Sequence, residues 1–175
     1  MNAGYRIPTP ADAEAIARLH VASWREAYAG IVPPSILDNL DMADRITRWR
    51  GYLAGEGVTF LAEAEGAPAG FIRAGTPAKP LVEAADGHVF ALYILRQHWR
   101  RGIGSRLLGL AASAWHAQGG RALSVGVLTE NAPAKAFYEA VGGTFVRHES
   151  YAWDGHELPE SIYVFRNLED LARLA

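Results

Sequence analysis

The sequence predicts one α/β domain over residues 1–175, a mixed sheet of strands with helices between them. Three observations lead there. Strand-like and helix-like segments alternate with no linker, repeat or low-complexity tract. Hairpin signals flank a central strand–helix–strand unit, so antiparallel pairs should surround a parallel one. The 175 residues, 50% hydrophobic and 21% charged, suffice for one buried core without staples.

In order, "YRIPT" (5–9) has the composition of a short strand. The helix that follows carries Thr9 as a cap, Pro10 at its first position and Asp12 and Glu14 at its positive end. Ile16, Leu19, Ser23 and Ala27 keep helical spacing, and Gly30 stops it. After Pro33-Pro34 come a short helix and a longer one. "VTFLAEAEG" (58–66) and "APAGFIRAGTP" (67–77) form a hairpin. A loop leads to the strand 88–95. Ile103, Leu107, Leu110, Ala111 and Ala114 mark the next helix, which Gly119-Gly120 ends. Strand 121–128, a short helix from Asn131, and two closing strands with "WDGHE" (153–157) at the turn complete the order.

Composition excludes several classes. A net charge of −2 argues against bulk electrostatic binding to nucleic acid or anionic membrane. With no cysteine there is no disulfide, thiolate zinc site or cysteine nucleophile. No apolar run nears the ~20 residues that span a bilayer. "MNAGYRIPTPADAE" does not have the pattern of a secretory signal, so the expected location is the cytoplasm. His20, His98, His116, His148 and His156 lack metal-ligand spacing, and no metal is expected.

The stretch "HWRRGIGSRLL" (98–108) joins the central strand to the start of a helix. The first N–H groups of a helix lack intrahelical partners and sit at the positive end of its dipole. Gly102 and Gly104 open the backbone there, no proline interrupts Trp99 to Ser105, and Arg100, Arg101 and Arg106 add charge. An anion site and an ordinary turn both remain open on these residues alone. A dinucleotide fingerprint would need a third glycine where Leu107 stands, and the Gly-Lys-Ser/Thr of a nucleoside-triphosphate loop is absent. Downstream, "TENAPAKAFYEAVGGTFV" sets Asn131 at a helix start and Phe137-Tyr138 two turns on. Asn131 could cap the helix or bond a ligand amide, and Phe137 reads as core.

Together, "LYIL…RRGIGSRLL" and "LTENAPAKAFYEAVGGTFV" resemble the GNAT superfamily of acyl-CoA-dependent N-acetyltransferases, over roughly residues 89–146. The resemblance implies a sheet whose central strand pair splays apart to admit acetyl-CoA. It assigns Arg100, Arg101, Gly102, Ile103, Gly104 and Ser105 to the coenzyme A pyrophosphate. The backbone of Leu92, Tyr93, Ile94 and Leu95 would pair with the pantetheine arm, an N–H near Tyr93 or Ile94 meeting the oxyanion. Asn131 would bond the pantetheine, and Tyr138 would act as general acid to the leaving thiolate. Two positions depart from the family pattern. Trp99 stands where Gln or Arg is usual, and His88 where many members carry a glutamate that helps remove the amine's proton. A histidine near neutral pKa can do the same work.

The implied activity is acetyl transfer to a primary amine, of a small metabolite or amino-acid-like substrate, by direct attack in a ternary complex. The alternatives are a peptide or protein amine, or a non-catalytic acyl-CoA-binding module on the same fold. Trp24, Tyr28 and Tyr151 are the expected lining of the acceptor pocket, with core packing the competing role for Trp24 and Tyr28. Trp153 lies at the pocket or its rim, and Asp38 and Asp41 read as solvated helix faces. Members of this fold often form homodimers.

Overall fold

A computed structural model of the chain describes residues 3–153 and 156–175. The elements are β1 (Gly4–Arg6), α1 (Ala13–Tyr28), α2 (Pro34–Asp38), α3 (Met42–Ala54), β2 (Val58–Ala64), β3 (Ala67–Gly75), β4 (Gly87–Ile94), α4 (Ile103–Ala117), β5 (Leu123–Leu128), α5 (Ala132–Ala140), β6 (Thr144–Trp153), β7 (His156–Phe165) and α6 (Leu168–Ala172). All seven strands lie in one sheet, ordered β1-β2-β3-β4-β5-β7-β6. Only β4 and β5 are parallel, joined by the crossover through α4; the other pairs are antiparallel.

Local chemistry sets the element ends. β1 stops at Arg6, short of the predicted Thr9, because Pro8 has no N–H to offer a ladder. Thr9 and Asp12 form a reciprocal capping box around one 3-10 turn, and α1 proper starts one turn later than its cap suggests. Asp41 caps α3 by accepting from the N–H groups of Ala43 and Asp44. The predicted turn at 153–157 includes Asp154 and Gly155, which lie outside the described residues; Trp153 and His156 face each other across the hairpin.

The sheet is covered on both faces. Leu107, Leu108, Ala111 and Ala112 of α4 are fully buried against Ile72, Val89, Leu123 and Val125, where burying each leucine is worth about 1.5–3 kcal/mol. On the opposite face, Ile16, Ala17 and Leu19 of α1 and Trp49 of α3 pack on Leu61, Phe71 and Ala91. Helix α6, which the sequence pattern does not separate from the last strand, buries Leu168 and Leu171 in the α4 side of the core. Asp86 ties the loop before β4 to the start of β5, accepting from the N–H groups of Arg121 and Ala122 and from the Trp115 indole.

Candidate active site

The central pair separates where β4 bulges. Arg73 faces Ala91 and Ala74 faces Val89, so Phe90 is the extra residue on β4. Pairing of β4 with β5 covers only Gly87–Val89 against Leu123–Val125. Beyond it, β4 stays paired to β3 through Tyr93 and Ile94, while its edge toward β5 carries no strand. The backbone of Leu92 to Ile94 therefore borders an open slot with unused hydrogen-bonding capacity.

The glycine turn stands at the end of that slot. Arg100 (φ 58°) and Gly102 (φ 77°) both take the left-handed conformation, which reverses the chain into α4. Gly102 is the N-cap and no side chain among the described residues caps the helix, so the N–H groups of Ile103, Gly104 and Ser105 are left for an outside acceptor. The Trp99 indole donates to the carbonyl of Ile94 at 2.7 Å, and Arg96 stacks on its ring. This bond ties the turn to the tip of β4. Gly104 lies under Phe137 of α5, where an added Cβ would stand 3.4 Å from the ring. Arg101, Gly102, Ile103 and Arg106 also border a cavity of about 300 Å³.

Helix α5 brings the second motif to the same slot. The Asn131 carbonyl oxygen accepts from the N–H of Ala134, capping the helix, and its amide nitrogen has no acceptor among the described residues. Tyr138 is 6% exposed, packed among Phe137, Tyr163 and Phe165. Its hydroxyl has no hydrogen-bond partner among the described residues. Burial first, and the nearby Tyr28 second, raise its pKa well above the usual phenol value, so it holds its proton.

On the other side of the slot an aromatic wall rises from α1, β4 and β6. The hydroxyls of Tyr28 and Tyr93 are 2.8 Å apart, and burial pushes Tyr28 up to about 12 despite that bond. Trp24 packs edge-on against Trp153 at 4.2 Å between ring centroids. Beside this wall is a cavity of about 1160 Å³, lined among others by Trp24, Arg45, Trp49, Tyr151 and Trp153. Trp24 and Tyr151 line this cavity, while Tyr28 stands behind it on Tyr93.

Two groups on this face can accept a proton. Neighbouring Gly87 and Val89 face α4, so His88 points to the opposite side of the sheet. Its Nδ1 is 2.9 Å from Ser124 Oγ, while Ser124 Oγ donates to the carbonyl of Gly87. Both contacts hold together only if His88 Nδ1–H is the donor, which leaves the lone pair on Nε2. Burial lowers the His88 pKa to about 4. Glu160 of β7 lies over β5, where a Cβ on Gly126 would stand 2.2 Å from Oε1. Its carboxylate has no hydrogen-bond or ion-pair partner among the described residues. Burial, with the Glu149 carboxylate next, raises it to about 7.

The structure therefore brings the glycine turn, Leu92–Leu95, Asn131 and Tyr138 to one slot, with Tyr28 on its far side. Glu160, Arg45 and His20 also belong to this region, and none of them stands out in the sequence as a site residue. The one available signal was Gly126, an isolated glycine inside the strand "LSVGVL", which marks a close approach by another group.

Residues 15–143 match the model of the Acetyltransferase (GNAT) family. The chain is 30% identical over 149 residues to the uncharacterized N-acetyltransferase YuaI of Bacillus subtilis, covering 85% of this chain and 84% of that protein. A probable N-acetyltransferase of Mycobacterium tuberculosis is 28% identical over 145 residues, covering 79% and 78%. Among solved structures, a GCN5-related N-acetyltransferase from Rhodopseudomonas palustris superposes with a TM-score of 0.76 at 21% identity, over 95% of this chain and 97% of that one. YncA of Salmonella typhimurium, solved with its cofactor acetyl-CoA, gives 0.72 at 16% identity, over 95% and 94%.

Proposed function

Because the chain belongs to the GNAT family of acetyltransferases, we propose that it transfers an acetyl group from acetyl-CoA to the primary amine of a small, amino-acid-like metabolite, by direct attack in a ternary complex. The observation that carries this reading is the slot itself. It has an uncapped helix N-terminus at one end, an unpaired strand edge along it and a buried, unpartnered Tyr138 within it. These features fit acetyl-CoA. Arg100 to Ser105 would hold its pyrophosphate, with three backbone N–H groups and no Cβ at Gly102 or Gly104. The edge of Leu92 to Leu95 and the amide of Asn131 would hold its pantetheine arm. Bound there, acetyl-CoA supplies the acetyl thioester that the amine attacks, an N–C bond replacing the C–S bond.

The chain's own residues manage the protons. An amine attacks only when neutral, so a base must take its proton, and Glu160 is poised for that near neutral pH. His88 is the other base on this face; at about 4 it holds a proton less readily, so the pH of the rate limb separates the two. A β4 N–H near Tyr93 or Ile94 supports the oxyanion. Tyr138 keeps its proton for donation to the departing sulfur.

Thermal unfolding tests the reading cheaply, since a ligand specific to the native state raises apparent stability. Acetyl-CoA should stabilise the protein where ATP and NAD do not, and an amine panel should release thiol from acetyl-CoA. Stabilisation by ATP alone, or no thiol release with any amine, contradicts it.

A further inference from the structure

The acceptor cavity and its edge carry two unpaired charges of opposite sign, and we propose that the acceptor is a zwitterion, a free amino acid whose carboxylate docks on Arg45 while its amine faces Glu160. This rests on the acetyl-transfer reading above and names the substrate class of that site.

Arg45 is half-buried, lines the cavity and forms no ion pair among the described residues. Its Nε is buried without an acceptor among the described residues. The guanidinium lies on the Trp24 ring, 4.5 Å from the centroid, so its face is occupied while its edge donors stay free for a carboxylate. A second donor lies beside it. The Trp49 indole donates to His20 Nδ1 at 3.2 Å, which puts the proton of the neutral ring on Nε2, and that atom has no partner among the described residues. His20 is 8% exposed, lines the same cavity, and meets Trp24 at 4.7 Å between centroids. Burial, and then Arg45, lower its pKa to about 3, so the ring stays neutral.

The other charges around the cavity are occupied or solvated. Asp44 pairs with Arg48 at 2.7 Å, and Asp41 caps α3. Arg73 donates to the carbonyls of Tyr52 and Glu56 and to Thr59 Oγ, and Glu56 is exposed. Tyr151 links the two unpaired groups: it lines the cavity with Arg45, and on β6 it pairs with Leu158, one same-face step along β7 from Glu160. An anion-accepting edge and an unpaired carboxylate thus flank one phenol, and a molecule carrying both charges complements both.

The test compares thiol release from acetyl-CoA with the twenty L-amino acids and with their carboxamides, in wild type, Arg45→Met and Arg45→Lys. Acetyl-CoA-induced thermal stabilisation confirms that each variant is folded. At least one free acid should exceed its carboxamide in kcat/KM by about 30-fold or more, the range of a charge-assisted contact. Arg45→Met should cut that preference at least tenfold, mainly through KM, and Arg45→Lys should keep part of it. Carboxamides used equally well, or a preference unchanged in Arg45→Met, overturns the proposal. If no amine is turned over, the acetyl-transfer reading falls, and thermal shift with N-acetyl-L-amino acids plus coenzyme A decides the subsite. Stabilisation lost in Arg45→Met supports it; none in wild type overturns it.

Discussion

Glu160 and Gly126 share one space: a Cβ added to Gly126 of β5 would stand 2.2 Å from Glu160 Oε1 and 2.3 Å from its Cδ. The missing side chain on one strand is what lets a carboxylate from its neighbour lie across the sheet at the splay. Gly126→Ala should therefore act on Glu160 more than on the fold. Only the end of a flexible side chain must move, so stability should change by less than about 1 kcal/mol. The turnover number should fall at least tenfold, read by thiol release at saturating amine.

Tyr138→Phe removes a hydroxyl but keeps the ring that packs on Tyr163 and Phe165. A general acid contributes roughly 10²–10⁴-fold, so kcat should drop about a hundredfold or more. Acetyl-CoA should stabilise the variant as it does the wild type. An unchanged kcat would remove Tyr138 from the proton-donor role.

Trp99→Phe deletes the bond from the indole to the Ile94 carbonyl. A neutral hydrogen bond of this kind is worth about 1 kcal/mol, and the turn loses its tie to β4. The dissociation constant of acetyl-CoA, measured by calorimetry, should rise about fivefold. Affinity equal to wild type would mean that the turn holds its shape without Trp99.

Asp86 gives the fold a pH signature. Burial alone would raise its carboxyl, but donors from Arg121, Trp115 and Ala122 bring it down to about 2, against an ordinary 3.8. A depressed carboxyl stabilises the folded state above its unfolded pKa, and that contribution disappears as pH falls from about 4 toward 2. Asp86→Asn should be less stable at pH 7, by about 1–3 kcal/mol, and should lose less stability than wild type on acidification. Denaturant midpoints at pH 7 and pH 3 check both signs.

What the sequence discloses follows from how local each signal is. The hairpin of β2 and β3, the glycine turn and the Asn131 cap are written in neighbouring residues, and all stand where expected. Trp99 reads as an irregularity in the turn because its partner, the Ile94 carbonyl, is recognisable only once the chain has folded back. Helix α6 stays hidden although Asn167 caps it and Leu168 and Leu171 keep helical spacing, since five residues are too few to outweigh the strand before them. Glu160 reaches the slot only through the pairing of β7 with β5, and Arg45 reaches the cavity only through the packing of α3 on α1. Neither position has a local pattern that could announce it.

The pH dependence of kcat/KM for Glu160→Gln beside wild type shows whether Glu160 takes the proton of the attacking amine. Wild type should show activity rising with pH through a limb near 7, because Glu160 must be ionised to take the amine's proton. The variant should lose that limb and at least a hundredfold in rate near neutral pH. The same limb and rate in both proteins, or a wild-type limb near 4 that His88→Ala abolishes, would contradict the assignment of that step to Glu160.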